Sequence, residues 1–374
     1  MQLALREIRR AKLRFALLTG AVALLVFLVL FQQSLLGGLV TSFVGAIRNQ
    51  DAPVLVFGDQ ARRTVEASFL PPEAVEAVAG VDGVARSAPL GQGTFTVKAG
   101  GETVDASVFG HVPGGPGQPA TLSEGRRPER PFEAVASAGD ADEGFGIGDR
   151  VRIVGRPDVV VTVVGLAEDL QYSVAPTLFT WYETWAAAVR AVRPDTPAPL
   201  ASLVAVEPAG GVAPQELAAA ITAEVDGVEA LTRDRAADES PGVQAVRQSF
   251  SIILVLALLV VALVVGFFFV ILTVQKARAL TLLRAVGAPD SYLVRNLLAQ
   301  VATVLLGGVM LGALLVVLVR AVTPTGGVPV ELDPRTALPT LGLLCGLGLL
   351  GGLVAARRVL RLDPLSATSG GGAP

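Results

Sequence analysis

Four stretches of the 374-residue chain carry no Asp, Glu, Lys, Arg or His: Phe15 to Ile47, Phe250 to Val274, Asn296 to Val319 and Thr336 to Ala356. A helix needs roughly 20 apolar residues, at ~1.5 Å rise each, to cross a hydrocarbon layer of ~30 Å. All four stretches reach that length. The 200 residues from Arg48 to Arg247, between the first stretch and the second, have the texture of a water-soluble protein. The expected fold class is therefore membrane α-helical, with four transmembrane helices, plus an extracytoplasmic α/β domain with an inserted β-rich subdomain.

Charge sets the expected orientation. Arg6, Arg9, Arg10, Lys12 and Arg14 precede the first stretch, Lys276, Arg278, Arg284 and Arg295 separate the second from the third, and Arg357, Arg358 and Arg361 follow the fourth. Only Glu7, Asp290 and Asp363 oppose these 12 cations, a balance of +9, whereas the 200-residue insert holds 16 cations against 28 acids, a balance of −12. Short basic loops stay in the cytoplasm. The expected localisation is the plasma (inner) membrane, multi-pass, with both termini inside and the large domain outside. The divisions are 1–47 (N-terminal helix, first span and stalk), 48–247 (outer domain, its β-rich insert at about 120–185) and 248–274 (second span). They continue as 275–295 (cytoplasmic loop), 296–320 (third span), 321–335 (outer loop), 336–356 (fourth span) and 357–374 (cytoplasmic tail). The first charge-free run, at 33 residues, far exceeds the apolar core of ~7–15 residues in a cleaved leader, so it reads as a retained anchor.

In the outer domain, Val54 to Phe57 reads as a strand, and Pro71-Pro72 opens a helix over Glu73 to Ala79, proline being favoured at a first helical position. Gly93 to Lys98 and Thr103 to Phe109 read as strands. A second unit of this kind has a strand at Ser202 to Val206, a helix at Pro214 to Val225 and a strand from Val228 to Leu231. Between them Glu133 to Ala136, Val151 to Val154 and Val159 to Leu166 carry β signals. The glycine run Gly144 to Gly148 precedes an alternating strand rather than a helix, so it is a turn and not a nucleotide loop. His111 is the only histidine, which excludes His-rich metal sites, and it reads as a surface or partly buried polar residue. The only cysteine, Cys345, lies in the fourth stretch and leaves the outer domain without a disulfide.

None of the four stretches holds an ionisable residue of the kind that couples ion flow in secondary transporters. Their interior glycines fall at Gly308 and Gly312, Gly342 and Gly346, and Gly348 and Gly352, a spacing that lets helix backbones approach. The three lysines follow Ala11, Val97 and Gln275, so no phosphate-binding loop with Gly before Lys exists. If ATP drives this chain, another polypeptide binds it.

The loop Gln275 to Asp290, QKARALTLLRAVGAPD, predicts a short cytoplasmic helix from Ala277 to Val286 set across the membrane surface, stopped by Gly287 and Pro289. Asp290 or Ser291 can cap the next helix. Leucines in a cationic loop suggest docking to a partner or to headgroups. With REIRRAKLR before the first span and RRVLRLDPLSA after the fourth, the chain resembles the MacB/FtsX-type ABC transporter permeases, the superfamily of lipoprotein-releasing and heterocyst-glycolipid export permeases. The resemblance implies that the loop helix fits a cleft on an ATPase, with Arg278, Leu282, Leu283, Arg284, Ala285, Val286, Gly287 and Ala288 as the ATPase-coupling segment. Leu280 and Thr281 stand where the family often carries an acidic residue, a departure at the ATPase contact. No cofactor is expected on this chain; ATP and Mg would be held by a separate ATPase.

The expected function is the permease subunit of an ABC transporter, not an enzyme itself. By resemblance it would move a lipid-linked or amphipathic substrate on the outer side by mechanotransmission. Expected partners are a soluble ABC ATPase, a second copy of this or a related permease, and an extracytoplasmic adaptor or lipoprotein; nucleic acid is not expected. The alternative is an FtsX-like signalling subunit that activates an extracellular cell-wall hydrolase without transport. A membrane-anchored enzyme built on His111 fits poorly, since no nucleophile-elbow sequence accompanies it.

Overall fold

The computed structural model describes residues 12–196, 198–285, 290–322 and 334–360. The chain divides into two compact units, one of residues 1–37 and 249–374, the other of residues 38–248.

The first unit is helical. It contains most of helix α1 (Lys12–Arg48), together with the apolar parts of three helices from the C-terminal third. Among the described residues, three helices are long and apolar enough to cross a bilayer, over Phe15–Arg48, Pro241–Val264 and Leu298–Val319. The fourth expected span falls in a helix running Pro334–Leu360, whose described apolar part, Thr336–Leu350, is shorter. Valines at 22, 26 and 29 on α1 pack with Val301, Val304 and Leu305. Two polar residues add directional ties within this apolar core. Gln33 Nε2 donates to Thr340 Oγ1 at 2.7 Å, and Gln32 Nε2 donates to the Phe250 carbonyl at 2.9 Å.

The second unit combines a small sheet and a barrel. Its elements are β1 (Val54–Gly58), α2 (Pro72–Ala79), β2 (Val84–Ala99), β3 (Glu102–His111), β4 (Glu124–Gly125), β5 (Glu133–Ser137), β6 (Arg150–Ile153) and β7 (Val159–Ala167). They continue with β8 (Thr177–Trp181), α3 (Tyr182–Val192), β9 (Leu203–Pro208), α4 (Pro214–Glu224), β10 (Val228–Thr232) and α5 (Arg233–Asp238). The remaining helices are α6 (Pro241–Ala285), α7 (Asp290–Val322) and α8 (Pro334–Leu360).

Strands run in the order β10, β1, β9, β2, with antiparallel pairing throughout this first part. Valines 54, 56, 204 and 206 point one way from it, as the period of two requires, and pack beneath Val78 of α2 and Leu217 and Ile221 of α4. Strand β2 is 16 residues long because it serves twice. Val84 to Leu90 pairs with β9, and Gly91 to Ala99 pairs with β3. From β3 the pairing passes to β8, β5, β7 and β6, and β6 returns to β2 through Val97↔Ile153 and Lys98↔Arg152. Six strands thereby close a ring around Val97, Val108, Ala136, Val151, Val161 and Leu178.

The β-rich stretch expected at about 120–185 is thus not self-contained. Two of its six ring strands come from Gly91 to His111, because without β3 and β2 the strands β8 and β6 would each present an unpaired edge. Gly91 and Gly110 stand opposite each other in this ring, and a Cβ on either would run into Trp185 of α3. The indole rests on that bare glycine pair, which is how α3 closes over the barrel.

One further expectation is corrected. The loop helix is not a separate element across the membrane surface; α6 runs without a break from Pro241 to Ala285. No Gly or Pro occurs between Gly266 and Gly287, and the Leu, Ala, Lys and Arg residues in this stretch favour continued helix. The next helix begins at Asp290.

Candidate functional site

Of the predicted coupling residues, Arg278, Leu282, Leu283, Arg284 and Ala285 lie in the last turns of α6, where the backbone is helical. Val286, Gly287 and Ala288 lie outside the described residues. The predicted packing glycines divide. A Cβ at Gly308 would stand 2.5 Å from Val22 Cγ1, and one at Gly312 would stand 2.7 Å from the Ala23 carbonyl oxygen, so α7 approaches α1 through these two positions. Gly348 of α8 meets Leu305 of α7, at 2.7 Å from a built Cβ. Gly342 and Gly346 face open space within this chain, and Gly352 lies in α8.

The outer domain also holds the end of α1 and the start of α6, through contacts that no sequence motif marks. Helix α1 departs from helical geometry at Val44 (φ −133°, ψ 15°). At that point a loop from the barrel is laid against it. The Ser42 carbonyl accepts from Val174 N at 2.9 Å, the Phe43 carbonyl accepts from Ser173 N at 3.0 Å, and Ala46 N donates to the Gln171 carbonyl at 3.0 Å. The bond from Ala46 links the two elements as strands of a sheet would be linked. Gly45 is required here, since a Cβ would overlap the Asp169 carbonyl. The loop itself holds Asp169, Ser173 and Val174 at φ between 53° and 56°, a costly conformation for a β-branched residue.

Below this clasp, Gln50 fastens the turn that follows α1. Its buried amide donates to the Ala52 carbonyl at 2.9 Å and accepts from Ala52 N at 2.6 Å, while Arg233 Nη1 donates to the Gln50 carbonyl at 2.8 Å. Asp238, at the end of α5, then joins the two long helices. Its Oδ1 accepts from Arg48 Nη2 at 2.6 Å and from Arg247 Nη2 at 2.7 Å. Arg48 is the last residue of α1 and Arg247 lies in the second turn of α6. One carboxylate oxygen therefore yokes both helices where they enter the outer domain. No spacing rule in the sequence announces this contact, because its three residues are 190 and nine positions apart.

Several ionisable groups of the outer domain are shifted. Asp140 is 3% exposed, and burial raises its pKa to about 6; Gln171 Nε2 donates to its Oδ1 at 2.5 Å and opposes that rise. Gln171 is the same residue whose carbonyl holds Ala46. The Tyr172 hydroxyl donates to Glu66 Oε2 at 3.1 Å, and burial, reinforced by the Glu66 charge, pushes its pKa up. Glu133, by contrast, is held at about 2, first by the side-chain bonds from Arg126, both 2.8 Å, and then by Glu129 N and Arg130 Nε. His111, expected as a surface or partly buried polar residue, is fully buried at the end of β3 beside Trp181. Burial lowers its pKa, and its Nδ1 lies 3.3 Å from the Val112 carbonyl. It sits there because Gly110 and His111 pair in register with β8 in the ring. Among the described residues, no group of three or more His, Cys, Asp or Glu is placed to hold a metal ion.

Apolar helices and a sheet-plus-barrel domain between the first and second of them define a multi-pass membrane protein with a periplasmic-type domain. Residues 15–224 match the family profile of the MacB-like periplasmic core domain, and residues 251–364 match that of the FtsX-like permease C-terminal region. The chain belongs to the MacB/FtsX-type ABC transporter permeases. It is 21% identical over 380 residues to a putative hemin transport system permease protein, HrtB, of Staphylococcus epidermidis, covering 99% of this chain and 100% of that one. It is 28% identical over 295 residues to an uncharacterized ABC transporter permease of Mycobacterium tuberculosis, with 78% of this chain and 77% of that one covered. The crystal structure of the periplasmic region of MacB from Actinobacillus actinomycetemcomitans overlaps 50% of this chain and 92% of that one, at 13% identity and a TM-score of 0.36.

Proposed function

We propose that this chain is the permease subunit of an ABC transporter that converts nucleotide-driven movement of its helices into movement of the outer domain. Two copies would work with a separate soluble ATPase that holds ATP and Mg. The chain would span the plasma membrane four times, with both termini cytoplasmic and the outer domain outside. The coupling segment would be Arg278, Leu282, Leu283, Arg284, Ala285, Val286, Gly287 and Ala288.

The observation that carries this reading is the yoke at Asp238 together with the clasp at Val44. A helix pushed from the cytoplasmic side can act on a distant domain only if its far end is gripped. Here α1 is gripped by backbone bonds to the barrel loop and α6 is tied to α1 through one carboxylate. The continuous helix from Pro241 to Ala285 supports the same reading, since a rigid α-helix transmits a displacement along its length. The charge-free spans offer no polar path for a hydrophilic solute, which favours an amphipathic or lipid-linked substrate handled on the outer side. Hemin, in the name of the Staphylococcus relative, is a cargo of that amphipathic kind. The signalling alternative draws no support from these relatives, which are named as transport permeases.

The test is co-purification of the full chain with its ATPase. The wild-type chain should retain the ATPase through detergent extraction, and the double variant Leu283→Asp, Val286→Asp should lose it. Equal retention by the double variant would remove the coupling assignment.

A further inference from the structure

Strand β2 changes partners along one edge, and between the two partners that edge is bare. Up to Leu90 it pairs with β9, and Ser202 Oγ extends this seam by accepting from Gln92 N at 3.0 Å. Pairing resumes where Val154 N donates to the Thr96 carbonyl at 3.0 Å, and β6 continues it at Val97 and Lys98. Thr94 lies in the interval. Its opposite number on β3, Ser107, donates its backbone N–H to the Pro176 carbonyl, away from β2. Thr94 and Ser107 are therefore a non-hydrogen-bonded pair, and the Thr94 N–H and carbonyl both point at the bare edge. Among the described residues neither group has a hydrogen-bond partner.

This stretch of β2 borders a cavity of about 760 Å³, within the ~300–1,000 Å³ typical of ligand sites. Gln92 to Phe95 form one wall, and Trp185, Val189 and Val192 of α3 form another. Gly93 and Phe95 turn toward the indole: a Cβ on Gly93 would stand 3.5 Å from Trp185 Nε1, and Phe95 packs in the same core as Trp185. Thr94 and Thr96 are exposed and turn to the other face, as the period of two requires. Native sheets protect bare edges with charges or proline; residues 92–96, QGTFT, carry neither.

We propose that a short extended segment of a partner polypeptide on the outer side docks here by strand addition, filling the gap between β9 and β6. An added strand brings one donor and one acceptor at the spacing Thr94 presents, whereas a hydrocarbon would leave both unmet. Both neighbours along this edge run antiparallel to β2, so the guest does too, and its central residue exchanges two hydrogen bonds with Thr94. That residue shares the exposed face of Thr94 and is polar. The residues on either side of it project with Phe95, against Trp185 and Val189, and are apolar. A second copy of this chain offers no such segment. The large apolar residues exposed on its described outer domain, among them Phe132, Ile147, Val154 and Val174, stand singly, no two of them two positions apart. The site is separate from the coupling segment, so peptide binding and ATPase retention can fail independently.

The test is fluorescence anisotropy of a dye-labelled pentapeptide, TVSLT amide, with the full-length protein in lipid nanodiscs. Saturable binding is expected. A methyl group on the serine nitrogen removes the bond to the Thr94 carbonyl and should weaken binding about tenfold. A methyl group on the leucine nitrogen, which points away from β2, should leave it unchanged. Thr94→Pro removes the free N–H without removing a bond of the fold, since edge strands accept proline there, and should weaken binding by a similar factor. If that variant fails to fold, the pair of methylated peptides decides on the wild-type protein. Benzoylphenylalanine at position 69, on the cavity rim, should not cross-link two copies of the chain. In proteoliposomes with the ATPase, the peptide should stay on its own side of the membrane. No saturable binding, equal affinity of the unmodified and serine-methylated peptides, a cross-linked dimer that the peptide competes away, or ATP-dependent movement of the peptide as cargo would overturn the assignment.

Discussion

Asp238 accepts from two arginines on one oxygen, yet its side chain is 44% exposed and the arginines are 37% and 42% exposed. Ion pairs this open contribute ~0–1 kcal/mol to stability, so the yoke does not hold the fold together. Asp238→Ala should therefore shift thermal unfolding by no more than about 2 °C, while sharply reducing the effect of the permease on ATP turnover by its ATPase. Intact coupling in that variant would assign the gripping of the helices to the clasp alone. Asp140 gives a second prediction at this scale, on stability against pH. Its folded pKa of about 6 lies above the ordinary value of 3.8, so its contribution to stability is full below pH 3.8 and is lost as pH rises through 6. Glu133, at about 2 against 4.5, has the opposite sign, with stability present above pH 4.5 and lost only as pH falls through 2. Between pH 4.5 and 6 Asp140 alone of these two changes charge. Tryptophan emission follows outer-domain melting, because both tryptophans lie there. Asp140→Asn should match wild type near pH 4 and exceed its melting temperature at pH 7.5, by the equivalent of ~2–3 kcal/mol. Parallel pH profiles of the two proteins would show that Asp140 is ionised without cost.

At the level of elements, the glycines sort by what lies opposite them. A side chain at Gly308 would enter the space of Val22, so Gly308→Val should cost ~1–3 kcal/mol by overpacking, read as a lower midpoint of unfolding in mild denaturing detergent. Gly346→Ala meets nothing within 4 Å in the single chain and should leave that midpoint unchanged; a large drop would mean that a second copy packs there. All six glycines were visible in the sequence as small residues at a spacing of four, but that spacing cannot say which face meets a neighbour. The strands show the same boundary of legibility. Arg150 to Ile153 alternates charged and apolar residues and is readable, whereas the first half of β2, Val84 to Leu90, includes Arg86, Ser87 and Pro89 and carries no period-two signal. The end of α6 escapes the sequence for a related reason. The apolar run ends at Val274 and cations follow, but nothing in the backbone chemistry stops the helix there.

At the scale of the molecule, hydropathy and charge made the division into membrane part and outer domain legible, because burial in lipid leaves a strong compositional mark. The closed barrel, the clasp at Val44 and the yoke at Asp238 were not legible. Each depends on pairings between residues far apart in the chain, such as Ala46 with Gln171 and Arg48 with Asp238. These long-range contacts lie within residues 38–248, and under the proposed function they are the grip through which the helices would act on the outer domain. The most direct test places one spin label on the outer domain, at Thr103→Cys in a Cys345→Ser background, in the complex with its ATPase. Thr103 is exposed and Cys345 is the only native cysteine. Pulsed dipolar spectroscopy then measures the distance between the labels of the two copies with and without ATP. The account predicts a shift of several ångströms on ATP binding that Asp238→Ala diminishes; an unchanged distance in the ATP-bound complex would contradict it.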